Sequence, residues 1–149
     1  HQVFEFADVI SMNCYPGWYD TEDEEIRTID NIQPFLRHTI GYIDSLPETR
    51  DKPFIISEIG AAALPGFHDR FHARWTEEYQ ADYHQAVTEF VCGEDRVAGV
   101  ALWMFCDART GMQGRILRRP RGFNNKGIFD EYRCPKEAVA VVRKNFRRQ

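Results

Sequence analysis

Between Lys52 and Ala61 the chain reads Lys-Pro-Phe-Ile-Ile-Ser-Glu-Ile-Gly-Ala, and this stretch limits the fold more than any other. Phe54, Ile55 and Ile56 form an unbroken apolar, largely β-branched run behind the punctuating Pro53. Such a run, without polar alternation, suits a strand covered on both faces, as in a parallel sheet flanked by helices. Glu58 follows directly, and Gly60 frees the backbone to turn away. In sheets of that kind, ligands and chemistry gather at the carboxyl ends of the strands. Glu58 is therefore a candidate for chemistry. A helix-capping or surface glutamate is the alternative, and these residues alone leave both open.

The rest of the chain repeats the theme. Ala7 to Asn13 reads as a strand, and Cys14 to Tyr19 as the loop leaving it, with Pro16-Gly17 as a turn signal. Asp20 to Glu25 is an acidic, solvated loop or first helical turn. Ile32, Phe35, Leu36, Ile40, Ile43 and Leu46 recur at helical steps, so a helix is expected from about Asn31, ended by Pro47. A second helix is expected over about Ala73 to Cys92, with Trp75, Tyr79, Tyr83, Val87 and Phe90 buried, His84 on the surface and Gly93 as cap. Val97 to Phe105 is a further apolar strand ending near Trp103. Cys106 to Cys134 lacks periodicity, and loops that long inside a compact domain are usually functional or disordered. A last helix is expected from about Pro135 to Phe146, with Val139, Val142 and Phe146 inward. Strand-helix alternation of this spacing predicts βαβ units and a parallel sheet.

Composition narrows the classes. A chain of 149 residues supports one domain with a real core. A net charge of -4 argues against a general nucleic-acid binder, and no apolar run reaches the ~20 residues of a membrane helix. Cys14, Cys92, Cys106 and Cys134 have no metal or disulfide spacing, so four free thiols are expected. Cys14 has no adjacent histidine to activate it. His68 and His72, with no further partner in sequence, predict no metal site. No cofactor is expected.

The strand ends carry unlike groups: Asn13 and Tyr15, then Glu58, then Trp103. In a parallel sheet these share one rim. The long loop adds Asn124, Asn125 and Lys126 beside Arg109, Arg115, Arg118, Arg119 and Arg121, which divide between substrate loop and surface. A carboxylate, hydrogen-bonding Tyr and Asn, an aromatic platform and a cationic loop suit a glycoside, and the cation suits a sugar acid. The same set would also serve an aldolase-like or phosphate-handling barrel.

Five ordered stretches resemble the carboxyl-terminal part of the catalytic (β/α)8 TIM barrel of glycoside hydrolase family 2, the β-glucuronidase and β-galactosidase family. Asn13-Cys14-Tyr15-Pro16-Gly17-Trp18-Tyr19 is similar to the stretch after barrel strand six. Ser57-Glu58-Ile59-Gly60-Ala61 resembles the strand-seven segment with the nucleophile, and Leu102-Trp103-Met104-Phe105 the strand-eight segment. Asn124-Asn125-Lys126-Gly127 resembles the N-x-K signature of β-glucuronidases, and Pro135-Lys136-Glu137-Ala138 the start of the last barrel helix. The resemblance implies a partial α/β barrel, about strands six to eight with their helices, over residues 1–149. It implies Glu58 as nucleophile of a retaining mechanism, Tyr15 as its hydrogen-bonding partner, Asn13 and Tyr19 lining the pocket, Trp103 as an apolar wall, and Asn124 with Lys126 gripping a carboxylate. Departures are Ala62, where many β-glucuronidases have Asp, and the longer Arg119-Pro120-Arg121-Gly122 loop. Asn-Asn-Lys-Gly loops also occur in members assigned as β-galactosidases.

Retaining hydrolysis needs a second carboxyl group, which this family takes from an Asn-Glu pair after strand four. No Asn-Glu pair occurs here; Asp107 and Asp130 have no such role in the family. The expectation is a portion of a larger β-glycosidase acting on β-D-glucuronides, with β-galactosides as the alternative. Alone it would be inactive, lacking the acid/base Glu. Its open sheet edges would make it self-associate as a homo-oligomer or need the remaining strands. The expected partner is a carbohydrate; a nucleic-acid module built on the arginine loop is the weaker rival, and no membrane partner is expected. The bacterial cytoplasm or periplasm is the expected location.

Overall fold

A computed structural model describes residues 3–19, 28–111 and 119–147. The acidic stretch from Asp20 to Glu25, with Arg115 and Arg118, lies outside the described residues. The elements in order are β1 (Ile10–Asn13), α1 (Ile32–Ser45), β2 (Phe54–Ile59), α2 (Glu77–Gly93), β3 (Val97–Leu102), β4 (Ala108–Arg109), β5 (Phe123–Asn124) and α3 (Glu137–Phe146). β1, β2 and β3 form a parallel sheet in that order, β2 central, as alternation of strand and helix requires. The sheet is open, not a closed barrel.

Phe54, Ile56 and Ile59 of β2 are fully buried with Ile10 of β1. They join Leu36, Ile40 and Ile43 of α1 and Tyr83, Val87 and Phe90 of α2 in one core. The opposite face carries half-buried Ile55, Ser57 and Glu58, so β2 is not covered on both faces among the described residues.

β2 holds one residue more than its neighbours at its carboxyl end. Met12 pairs with Ile56 but Asn13 with Glu58; on the other side Val100 pairs with Ile56 but Leu102 with Ile59. An extra residue in one strand re-aims the side chains beyond it. Inward burial passes from Phe54 and Ile56 to Ile59, and Ser57 and Glu58 are both left off the core face.

Several boundaries move, for local reasons. β1 begins at Ile10, three residues late, where Ile10 N donates to Pro53 O at 2.8 Å. α2 begins at Glu77, not Ala73, because His72 and Trp75 hold positive φ angles of 53° and 77°, which no helix accommodates. Thr76 caps it, accepting from Tyr79 N at 3.1 Å, and Glu77 and Glu78 oppose the positive helix end. β3 stops at Leu102 because Met104 pairs with the long loop instead: its N donates to Lys126 O (2.9 Å) and its O accepts from Ile128 N (3.0 Å). The long loop is not structureless, since β4 and β5 pair antiparallel within it.

α3 rests on α2, and its inward residues are not those expected. Val139 and Val142 are half-buried and Phe146 is exposed. Ala138 and Asn145 are buried instead, because the α2 surface they meet is polar there: Asn145 Nδ2 donates to Thr88 Oγ1 at 2.8 Å.

His84 is the clearest correction. It is fully buried, edge-on to Tyr83, and neither ring nitrogen meets a hydrogen-bond partner. Burial first, and the Lys136 charge second, lower its pKa to about 4. The folded state thus holds His84 neutral, and the unfolded chain binds the extra proton below its ordinary value near 6.5. Stability contributed by the neutral ring is complete above pH ~6.5 and falls as pH drops towards ~4, by roughly 3 kcal/mol. Urea denaturation across this range checks it. His84→Leu should flatten the dependence, and an unchanged slope would refute the assignment.

Candidate active site

The carboxyl ends of the three strands build the site. Glu58 leaves β2 on the side of β1. Its Oε2 accepts from Asn13 Nδ2 at 3.2 Å and its Oε1 from the Tyr15 hydroxyl. Ser57 Oγ donates to Asn13 Oδ1 at 2.7 Å, which turns the Asn13 amide so that its NH2 faces Glu58. The extra residue of β2 makes this possible, since it places Asn13 opposite Glu58. Burial raises the Tyr15 pKa far above the phenol's ordinary value, and the Glu58 hydrogen bond and charge add to it. Tyr15 therefore remains a donor to Glu58 throughout the physiological range.

Lys126 enters from the long loop. Its side chain lies among three rings, with Nζ 5.4 Å from the Tyr15 centroid, 5.1 Å from Trp18 and 4.6 Å from Tyr19. Nζ also donates to the Tyr19 hydroxyl at 3.0 Å. Tyr15 and Tyr19 meet edge to face at 5.0 Å, so one aromatic wall joins Glu58 to Lys126. Lys126 is only 3% exposed, and no described carboxylate lies within ion-pair distance of it. Burial first, then the neighbouring Arg119 charge, lower its pKa to about 7; the negative charge of Glu58 opposes them.

Trp103 leaves β3 40% exposed, a flat apolar face at the rim. Its Nε1 lies 3.1 Å from the Asn124 amide oxygen, which Arg119 Nη1 also approaches at 3.2 Å in the orientation that satisfies all three groups. Gly60 permits the close approach of the two strand ends, because a Cβ there would overlap the Trp103 carbonyl oxygen.

All seven residues singled out in sequence therefore lie at one end of the sheet. Trp18, which walls Lys126, and Arg119, which holds Asn124, were not singled out; the first stood inside a motif and the second inside an arginine run. Neither aspartate considered as a second acid is free for that work. Asp107 is buried against Lys136 Nζ at 2.9 Å, and Asp130 Oδ1 caps a turn through Tyr132 N and Cys134 N, both at 2.8 Å. Cys14 is buried and its thiol is pushed up to about 12 by burial, which leaves it a poor nucleophile. His68 and His72, without partners in sequence, each meet a carboxylate. His68 Nδ1 lies 2.9 Å from Glu78 and 3.8 Å from Glu137, while His72 pairs with Asp82. Both histidines lie on the loop before α2, and their carboxylate partners stand on α2 and at the start of α3.

A strand-end carboxylate served by donors from β1 and the loop after it, on a parallel sheet flanked by helices, fits a segment of a TIM-barrel domain. The chain matches the glycosyl hydrolases family 2 TIM barrel domain over residues 2–149 and belongs to that family. It is 32% identical over 146 residues to a β-glucuronidase of Streptococcus agalactiae, covering 97% of this chain and 22% of that protein. A β-glucuronidase of Mus musculus is 31% identical, with 95% and 20% covered. The crystal structure of a family 2 β-galacturonidase from Eisenbergiella tayi bound to galacturonate superposes with a TM-score of 0.86 at 36% identity, covering 98% of this chain and 24% of that one. The chain thus spans about a fifth to a quarter of the length of these relatives.

The Gly60 contact is testable. Gly60→Ala should cost roughly 1–3 kcal/mol in chemical denaturation by forcing β2 and β3 apart at the site. Gly99→Ala, where a Cβ would meet only Ile55 Cγ2 at an ordinary 3.7 Å, is the control and should be near neutral. Equal effects would mean the strand ends are not in close contact.

Proposed function

We propose that this chain supplies strands six to eight of the catalytic barrel of a retaining β-glycosidase that removes terminal β-linked sugar acids. Glu58 attacks the anomeric carbon, the bond to the leaving oxygen breaks, and a covalent glycosyl-enzyme forms; water then displaces Glu58. Tyr15 and Asn13 hold the carboxylate oriented before attack. Trp103 offers the ring a flat apolar wall. The leaving oxygen needs a proton from a second carboxyl group about 5–5.5 Å from Glu58. Asp107 and Asp130 are both engaged elsewhere, which supports the reading that this group comes from the remainder of the barrel and that the isolated chain is inactive. Its outer sheet edges on β1 and β3 are where other strands, or a second copy, would pair.

The observation that carries the choice of sugar is Lys126. A buried ammonium with no described carboxylate at ion-pair distance is costly, and here the Tyr15–Tyr19 wall joins it to Glu58. The carboxylate of a glucuronide or galacturonide would supply the missing charge. The names of the relatives favour both sugars, so the class proposed is β-uronides. A β-galactoside, the second reading, would leave Lys126 unpaired.

Initial rates of the complete enzyme on p-nitrophenyl β-D-glucuronide, β-D-galacturonide and β-D-galactoside test this. A uronide should be preferred, and Lys126→Ala should erase the preference, costing about 10- to 100-fold in kcat/KM. Preference for the galactoside would sink the role of Lys126 while leaving that of Glu58 standing. Glu58→Gln should lower kcat by at least about a thousandfold; wild-type turnover would overturn the nucleophile.

The Lys126 pKa of about 7 gives a pH test. The ammonium is charged below that value and neutral above it, so KM for a uronide should rise as pH passes upward through ~7. Lys126→Ala should abolish that limb, and a KM flat from pH 6 to 9 would contradict it.

A further inference from the structure

Lys126 meets the aromatic wall beside Glu58, and Asn125 just before it enters a buried polar cluster. Asn125 Nδ2 donates to Asp107 Oδ2 at 3.1 Å. Asp107 Oδ1 accepts from Gly127 N and from Lys136 Nζ, both at 2.9 Å. Lys136 Nζ donates further to Ala63 O at 2.8 Å and Asn125 O at 3.2 Å. Gln80, from α2, donates through one Nε2 to Ala61 O at 2.8 Å and Gly127 O at 3.0 Å. Ala63 N closes the set by donating to Asn125 O at 2.9 Å. The Asp107 and Lys136 side chains are essentially without exposure, and Gln80 is fully buried.

The two segments these donors join are informative. Residues 61–63 follow the nucleophile directly, and residues 125–127 bracket Lys126. Both lie beyond the sheet, where no ladder fixes their separation. Gln80 and Lys136 each bridge the same pair of segments, from different helices. Gly127 admits no side chain, because a Cβ would overlap the Asp107 backbone nitrogen and the Phe129 carbonyl oxygen, so the loop is held from both sides.

We infer that Gln80, Lys136 and Asp107 are positioning residues that set the distance between Glu58 and Lys126, and so set the selectivity of the site for a carboxylated sugar. This rests on the reading of Lys126 as the carboxylate-binding group. The chemical reason is the rigidity of the pyranose ring. Its anomeric carbon and its C5 carboxylate keep a fixed separation, so a uronide engages both ends of the site only when their spacing is right. A neutral hexoside is gripped at one end and tolerates a shift.

The test uses the complete enzyme, its Gln80→Met, Asp107→Asn and Lys136→Met variants, and Lys126→Ala as reference. The readouts are kcat and KM on a p-nitrophenyl β-uronide and on the matching neutral β-hexoside, with thermal melts to establish folding. The uronide-to-hexoside ratio of kcat/KM should fall by about tenfold or more in each positioning variant, with the loss in the uronide KM and its kcat within about threefold. A ratio that collapses in Lys126→Ala but stays within about twofold in Gln80→Met and Asp107→Asn would overturn the inference while leaving the Lys126 reading intact. A wild-type enzyme without uronide preference would overturn both. Gln80→Met adds no charge and keeps volume, so it decides the matter if Lys136→Met does not fold; if none folds, the cluster is structural only and the inference fails.

Discussion

One extra residue in the central strand governs the rest of the site. Had β2 kept strict alternation to its end, Glu58 would have shared the core face with Phe54 and Ile56, and a buried carboxylate there would meet only hydrocarbon. The added residue turns Glu58 away from the core, brings Asn13 opposite it, and returns Ile59 to the core. The irregularity interrupts the ladders on both sides of β2 near its carboxyl end. In exchange, the strand ends in a carboxylate with two donors already aimed at it.

Charge is arranged around an aromatic partition. Glu58 and Lys126 have opposite signs and meet the same two tyrosines, yet no direct ion pair between them is formed. Tyr15 and Tyr19 stand between, one donating to Glu58 and the other accepting from Lys126. A direct pair would satisfy both charges and leave nothing for a ligand. On the proposed function, the partition keeps the anion for bond making and the cation for recognition. Ring faces around the ammonium soften its desolvation by roughly 1–2 kcal/mol each at most, less than a carboxylate would contribute, so the cation still gains from a bound anion.

What the sequence made legible was carried by residue type at strand ends. The apolar runs at Phe54 and Val97 mark strands, the helical steps from Ile32 and Tyr79 mark helices, and Asn13, Tyr15, Glu58, Trp103, Asn124 and Lys126 stand where the strands and the loop put them. The remainder depends on tertiary partners that leave no periodic signal. Ser57-Glu58 reads as ordinary alternation, so the extra residue is invisible. His84 looks like a helix-surface residue until α3 and Lys136 cover it. Trp75 fits the helical stripe but sits in a left-handed turn, where its ring packs on Trp18 at 5.0 Å. Lys136 at a helix start reads as solvated, because nothing nearby in sequence announces Asp107.

The two buried lysines show why this distinction matters. Both are desolvated, and burial lowers both pKa values. Lys136 meets a carboxylate and two carbonyls, which fills all three of its donors. It is complete without a ligand, and removing it would strand a buried Asp107. Lys126 meets one hydroxyl and three ring faces, and at least one donor stays open. A fold gains nothing from the second arrangement, since an apolar side chain in the same aromatic surroundings would avoid the desolvation penalty. On the proposed function its cost is met by the anion that completes it, whereas the satisfied lysine at the start of α3 explains how the loop carrying the unsatisfied one is held in place.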